Sequence, residues 1–222
     1  MWRGEKRLVV TIGLDEVGRG CWAGPLVAAA VALSNHQDGP SGLRDSKKLS
    51  RQQRERLDVD IRSHAKAYGV GWVTPGEVDS LGLTQAVSLA MHRAMLELRR
   101  NFPACVCDEI IIDGNYNFLA HKPGAMPDLT HLTEAEEAGY GEMARTLVHA
   151  DATVPAVSAA SIIAKVARDT YMRELAQAYP AYGFESHVGY GTSAHHRALK
   201  QHGITPIHRQ SYKPIMALMS HP

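Results

Sequence analysis

The sequence predicts an α/β fold built on a mixed sheet, and three observations predict it. A β-branched run at 8–14, LVVTIGL, reads as a buried strand. EIIIDGN at 109–115 holds a short, fully apolar run that stops at Asp-Gly and reads as a strand covered on both faces. Two long segments with helical apolar spacing lie one before and one after that run, so strands alternate with helices along the chain.

Taken in order, the first strand ends just before Asp15. PLVAAAVAL at 25–33, opened by Gly24-Pro25, fits a strand or a short helix. Residues 35–50 form a polar loop rich in turn residues. At 51–65 Leu57 and Ile61 are spaced helically, and AYGVGWVT at 67–74 alternates as a strand does. Leu83, Val87, Ala90, Met91, Ala94, Met95 and Leu98 make one apolar helix face. A second amphipathic helix covers 157–179, with Pro155 as its start signal. Residues 116–145 read as an irregular insertion with one short helix, and the tail from 183 has weak periodicity.

At 222 residues the chain suits one domain, and 45% hydrophobic content supplies a sizeable core. A net charge of +1 excludes strong polyanion binding by the chain as a whole, so any nucleic-acid surface must come from local clustering. Three cysteines, Cys21, Cys105 and Cys107, are too few and too odd in number for a disulfide framework. Cys105-x-Cys107 lacks the second pair that a zinc site needs. No signal peptide and no apolar run of membrane-spanning length is seen, so the expected location is cytoplasmic, with no membrane partner.

The stretch GLDEVGRG at 13–20 carries the chemistry. It has the glycine spacing of a phosphate loop, but Arg19 and Gly20 stand where lysine and a hydroxyl residue are required. A dinucleotide loop is also met only loosely, because Gly24-Pro25 interrupts the helix it should open. Both readings leave Asp15 and Glu16 unexplained. A solvated turn would explain them, except that Asp113 also stands at the end of an apolar strand. If the two strands are parallel neighbours, Asp15 and Asp113 meet at the sheet edge where open α/β sheets place ligands. Carboxylates crowded there repel unless a cation neutralises them. Magnesium and manganese favour such oxygen donors and leave room for water and phosphate. Asp151, just ahead of the long helix, would alone be a helix-entry residue, and joins the set only beside the other three.

GLDEVGRGCWAGPLVAAAV, DSKKLS, IDGN, ADATVPAVSAASIIAKVARD and GYGT…HHRALKQHGITPIHRQSYKP occur in that order from Gly13 to Pro214. Together they resemble the successive motifs of type 2 ribonuclease H, ribonuclease HII. The resemblance implies a ribonuclease H-like fold: one domain over 1–222, with a five-stranded mixed sheet flanked by helices. A C-terminal helical segment, about 183–222, would contact substrate, and about 118–145 would be an insertion. It implies endonucleolytic hydrolysis of RNA paired with DNA, and nicking 5′ of a single ribonucleotide in duplex DNA, leaving 3′-hydroxyl and 5′-phosphate ends. The partners expected are RNA–DNA hybrid and ribonucleotide-containing DNA duplex, engaged by a monomer.

By the same resemblance Asp15, Glu16, Asp113 and Asp151 are the catalytic, metal-binding carboxylates for two Mg2+ or Mn2+ ions. Two such ions roughly 4 Å apart activate water and stabilise the leaving oxygen. Asp15 is the choice for the bridging ligand, with Glu16 and Asp113 on one ion and Asp151 on the other. Gly18, Arg19 and Gly20 map to the backbone reader of the 2′-hydroxyl, the group that separates RNA from DNA. Tyr190 matches the tyrosine that stacks beneath the next deoxyribose, and Lys47 a phosphate contact. Lys165, His208, Arg209 and Lys213 are weaker contact candidates, and Ser158 to Ser161 suits close helix-on-sheet packing. The chain departs from the family in placing His149, rather than a strongly basic residue, two positions before Asp151, and in its long spacing between Asp113 and Asp151. The acidic run Glu134, Glu136, Glu137 fits a tolerated surface insertion. A rival reading, a non-catalytic binder of RNA–DNA duplexes, is disfavoured because all four carboxylates are present.

Overall fold

One mixed sheet organises the chain, and the computed structural model describes residues 9–34, 42–43, 49–103, 106–120 and 134–219. Strands β1 (Val10–Val17), β2 (Leu26–Ser34) and β3 (Ala67–Val73) form its antiparallel half. Strands β4 (Glu109–Asp113) and β5 (Ala144–Leu147) extend it in parallel on the other side of β1, giving the order β3-β2-β1-β4-β5.

The first strand is longer than its apolar run. Asp15 and Glu16 lie inside β1, opposite Ala29 and Ala28, because pairing with β2 continues through Val17. Pairing with β4 reaches only Leu14 opposite Ile112. The carboxylates therefore sit where β1 is held on one side and open on the other. Segment 25–33 resolves as strand β2, with all nine residues of Leu26–Ser34 buried, as a strand covered on both faces must be.

Helix α1 (Arg51–His64) carries Leu57 and Ile61 as its buried residues. Helix α2 (Pro75–Leu81) precedes α3 (Leu83–Asn101), whose apolar face covers one side of the sheet against Ile12, Leu14, Ile110 and Ile112. Further on come α4 (Glu134–Met143), the single turn α5 (Ala150–Thr153) and the long α6 (Pro155–Ala178). Together α1 and α6 cover the opposite face against Val27, Ala29 and Val31. Gly13 sets how close α6 lies: a Cβ there would sit 2.2 Å from Ala156 C and Val157 N, so only glycine lets that helix rest on β1.

Several elements lay outside the sequence reading. Helix α2 starts at a capping box, with Thr74 accepting from the Glu77 amide and Glu77 accepting from the Thr74 amide. Strand β5 begins inside the stretch read as irregular, and Phe118 and Leu119 belong to the main core, so the ends of 118–145 are built into the fold. In the tail, a 3-10 turn (Pro180–Tyr182), α7 (Phe184–His187), α8 (Ser193–His202) and α9 (Lys213–Met219) gather with Met172 around a third core of Tyr182, Phe184, Leu199 and Ile215. Among the described residues no helix is long and apolar enough to cross a membrane.

Candidate metal centre and substrate cleft

A cleft of about 490 Å³ opens at the end of β1 and β4, lined by Asp15, Glu16, Asp113, Arg54, Ser161 and Lys165 and rimmed by Gly18, Arg19, Gly20 and Tyr190. The parallel register that pairs Leu14 with Ile112 brings Asp15 beside Asp113 one step further on. Neighbouring strand residues point to opposite faces, so Asp15 and Glu16 approach the cleft from the two sides of the sheet.

Asp15 is buried, with an exposure of 9%. Burial first, then the negative charges of Glu16 and Asp113, push its carboxyl up to about 8, against the pull of a hydrogen bond from Ser161. Burial also raises Glu16, and Arg19 opposes that shift through a 3.1 Å ion pair. The second oxygen of Glu16, Oε2, is buried with no hydrogen-bond partner among the described residues. Asp113 Oδ1 accepts the amide N–H of Ala150 at 2.8 Å and of Asp151 at 3.4 Å. That contact draws α5 to the tip of β4. Asp151 itself is buried and is not among the residues lining the cleft. Its backbone carbonyl accepts from the Ser158 hydroxyl.

These donors suit a divalent cation. They are all carboxylate oxygens, one is orphaned in a buried position, and one carboxyl is driven towards neutrality by burial and, after it, by the charges of the other two. As they stand, no three Asp, Glu, His or Cys side chains among the described residues converge on one point.

The rim is built by two buried arginines. Gly18 has φ +92°, and a Cβ on it would lie 2.4 Å from Arg168 Nε. Arg168 donates to the carbonyls of Pro25 (2.8 Å), Val188 (2.9 Å) and Ala23 (3.2 Å). Arg209 donates to the carbonyls of Gly24 and Arg19 and to the Tyr212 hydroxyl. Gly20 faces open space, which leaves its backbone approachable from the cleft. Tyr190 is 40% exposed and bridges to Cys21 across the loop, and burial raises its phenol.

The structure corrects several weaker candidates. Arg209 and His208 are buried, so neither reaches a surface phosphate. Lys165 lines the cleft while paired with Asp169 at 2.8 Å. Ser161 does more than pack, since its hydroxyl bonds Asp15. Lys47, with Arg44, Ser46 and Lys48, lies outside the described residues. Arg54 and Arg168 were not anticipated. Both lie on amphipathic helices, where an arginine ordinarily marks the solvated face.

The family model described as Ribonuclease HII matches residues 12–215. A "Ribonuclease HII" of Dichelobacter nodosus is 44% identical over 207 residues, covering 93% of this chain and 96% of that protein. A "Ribonuclease HII" of Hyphomonas neptunium is 43% identical, covering 94% and 95%. Among solved structures, the ribonuclease H2 of Pyrococcus horikoshii OT3 superposes with a TM-score of 0.73 at 26% identity, over 96% of this chain and 98% of that one. A Bst-RNase HIII solved in complex with Mn2+ shares the fold, with a TM-score of 0.68 at 20% identity over 96% and 70%.

Proposed function

Because the chain belongs to the ribonuclease HII family, an endoribonuclease family acting on RNA–DNA hybrids, we propose that it nicks 5′ of single ribonucleotides embedded in duplex DNA and hydrolyses the RNA of longer hybrids. The observation that supports this most directly is the pair Asp15 and Asp113 at the end of two parallel strands, in a cleft rimmed by Gly18–Gly20 and Tyr190.

Asp15, Glu16 and Asp113 would hold divalent cations, Mg2+ or Mn2+, with Asp151 joining from α5. Bound there, such ions supply a water activated for attack and neutralise charge on the leaving 3′-oxygen. The chain's own residues do the rest. Ser161 holds Asp15 in orientation, and Arg19 holds one oxygen of Glu16 and leaves the other buried without a partner, available to a cation. Rotation of side chains about these fixed backbone positions would complete the donor set. The approachable backbone at Gly18 to Gly20 would read the 2′-hydroxyl, and Tyr190 would lie against the following deoxyribose. Arg54 and Lys165 would meet phosphates along the cleft wall. No covalent nucleophile is needed, and the product ends would be 3′-hydroxyl and 5′-phosphate.

The test is a labelled DNA duplex carrying one ribonucleotide, incubated with the protein and Mg2+, Mn2+ or a chelator. A single metal-dependent nick 5′ of the ribonucleotide is the expected result. Cutting of long hybrid alone would discard the ribonucleotide reading and keep the site, and cutting of neither would discard both.

A further inference from the structure

Beneath Tyr190 three imidazoles stack into the C-terminal core. His187 and His195 lie face to face with centroids 4.7 Å apart and planes 14° apart, and His195 Nε2 is 3.1 Å from His208 Nε2. All three are buried. Buried as they are, none of them can meet a substrate phosphate, and none lines the cleft.

Their protonation can be assigned from groups that only donate or only accept. His208 Nδ1 meets the Thr205 amide at 3.0 Å, the Thr205 hydroxyl at 2.8 Å and the Thr205 carbonyl at 3.3 Å; the amide can only donate and lies nearer than the carbonyl, so that nitrogen is an acceptor and the proton of neutral His208 is on Nε2. It then donates to His195 Nε2, which leaves the His195 proton on Nδ1, 3.0 Å from the Tyr190 carbonyl. The Gly189 amide donates to His187 Nδ1 at 3.3 Å, and His187 Nε2–H donates to the Tyr182 carbonyl at 2.7 Å. The Tyr190 carbonyl, which only accepts, sets the same order from the other end, and a directed chain runs from Thr205 through His208 and His195 to Tyr190. One imidazole thus grips the residue before Tyr190 and another grips Tyr190 itself.

The turn they hold has little slack. Gly189 has φ +87° and lies against the Ala23 carbonyl, and the Trp22 amide donates to the Gly189 carbonyl at 2.8 Å. Trp22 also packs on His195, with centroids 5.6 Å apart.

We propose that His187, His195 and His208 are positioning residues for substrate discrimination: held neutral in one tautomeric arrangement, they fix the Tyr190 turn at the height from which its ring reads the sugar after a ribonucleotide. The inference rests on the role proposed for Tyr190 above. It predicts that loss of the His195–Tyr190 bond changes which substrate is cut more than it changes cutting as such. The cleft carboxylates act on both substrates, so their contribution cancels in the ratio.

Two measurements test it. In protein labelled with 15N-histidine at neutral pH, His195 is expected as the Nδ1–H tautomer and His187 and His208 as Nε2–H; His195 as Nε2–H, or doubly protonated, overturns the proposal. In kinetics, His195→Leu is expected to lower nicking at a single ribonucleotide by about tenfold relative to cleavage of long hybrid, the size of one lost hydrogen bond. His195→Asn, whose amide nitrogen can take the place of Nδ1, is expected to restore most of that ratio. Equal effects of Leu on both substrates, while Tyr190→Ala stays selective, would overturn the chain and leave the Tyr190 reading intact. If Tyr190→Ala is itself unselective, that reading fails and the proposal with it.

Discussion

Asp113 holds the backbone that carries Asp151, its Oδ1 accepting the amide of Asp151 at 3.4 Å and of Ala150 at 2.8 Å. One carboxylate thus both faces the cleft and fixes a second acid beside it. Asp113→Asn keeps a carbonyl oxygen for those two amides and removes only the charge. Cleavage is expected to fall by at least about 100-fold, the upper end of what outer-sphere changes around a metal cost, with the thermal transition nearly unmoved. Near wild-type cleavage would remove Asp113 from the metal site.

Asp15 weakens the fold for the sake of the site. Its carboxyl sits at about 8 in the folded chain against an ordinary 3.8, so the folded state binds more protons between those values and stability declines as pH rises through them. Asp15→Asn should therefore melt higher than wild type in chelator at pH near 8, by a few degrees at about 2–4 °C per kcal/mol, while cutting nothing. Manganese should raise the wild-type melting temperature and leave the variant's unchanged. A variant melting lower than wild type would contradict the crowding of charge.

Tyr190→Ala removes the exposed ring at the rim and touches no carboxylate. Nicking at isolated ribonucleotides should fall further than cleavage of long hybrids in parallel assays. Equal losses would argue against a junction-reading role.

The His195 and His208 imidazoles stay neutral down to about 4, chiefly because burial disfavours their charge, whereas unfolded histidine titrates near 6.5. The unfolded chain binds more protons between those values, so this contribution to stability is lost as pH falls from 6.5 towards 4. Facing the pair are His187, the Tyr182 ring and the Tyr190 carbonyl. A double variant, His195→Asn with His208→Gln, should show a flatter drop in melting temperature over that range. An unchanged slope would place the acid sensitivity elsewhere.

Gly13→Ala tests the seat of α6. A methyl 2.2 Å from the Ala156 and Val157 backbone must lift the helix from β1. The cost is expected at or above the roughly 1–3 kcal/mol typical of overpacking, read as a lower melting temperature. Cleavage should fall as well, because the same helix carries Ser161 and Lys165 to the cleft. A neutral substitution would show that the helix is free to shift.

What the sequence made legible was what hydrophobic spacing encodes. The apolar face from Val87 to Leu98 and the run Ile110–Ile112 are buried as read, with Leu83 half-buried at the start of that face. The end of β1 was not legible, because Asp15 and Glu16 break the apolar run while their backbone continues to pair with β2. Strand β5 escaped for a similar reason: at an edge, ARTL alternates only between half-buried and exposed residues, with no apolar run to mark it. Thr-Pro-Gly-Glu at 74–77 is a capping signature, so the start of α2 is legible in the sequence although its short apolar content is not. In the site, motif resemblance pointed to Asp15, Glu16 and Asp113, which the fold brings to one cleft. The tasks of Ser161 and Arg168 depend on Gly13 and Gly18 being bare enough for α6 to come near, a relation between distant positions that no local pattern carries.

The two arginines under the rim have an electrostatic consequence. Arg168 and Arg209 are wholly buried, and among the described residues their hydrogen-bond partners are carbonyls and one phenol rather than carboxylates. Two positive charges thus stand below the loop that would meet a polyanion with no carboxylate hydrogen-bonded to either among the described residues, Asp169 acting on Arg168 only through space. Mobile ions screen surface lysines but enter a packed interior far less. Part of the attraction for a phosphate backbone should persist at ionic strengths that strip the surface contacts away, giving a weaker dependence of affinity on salt than the number of phosphates met would suggest.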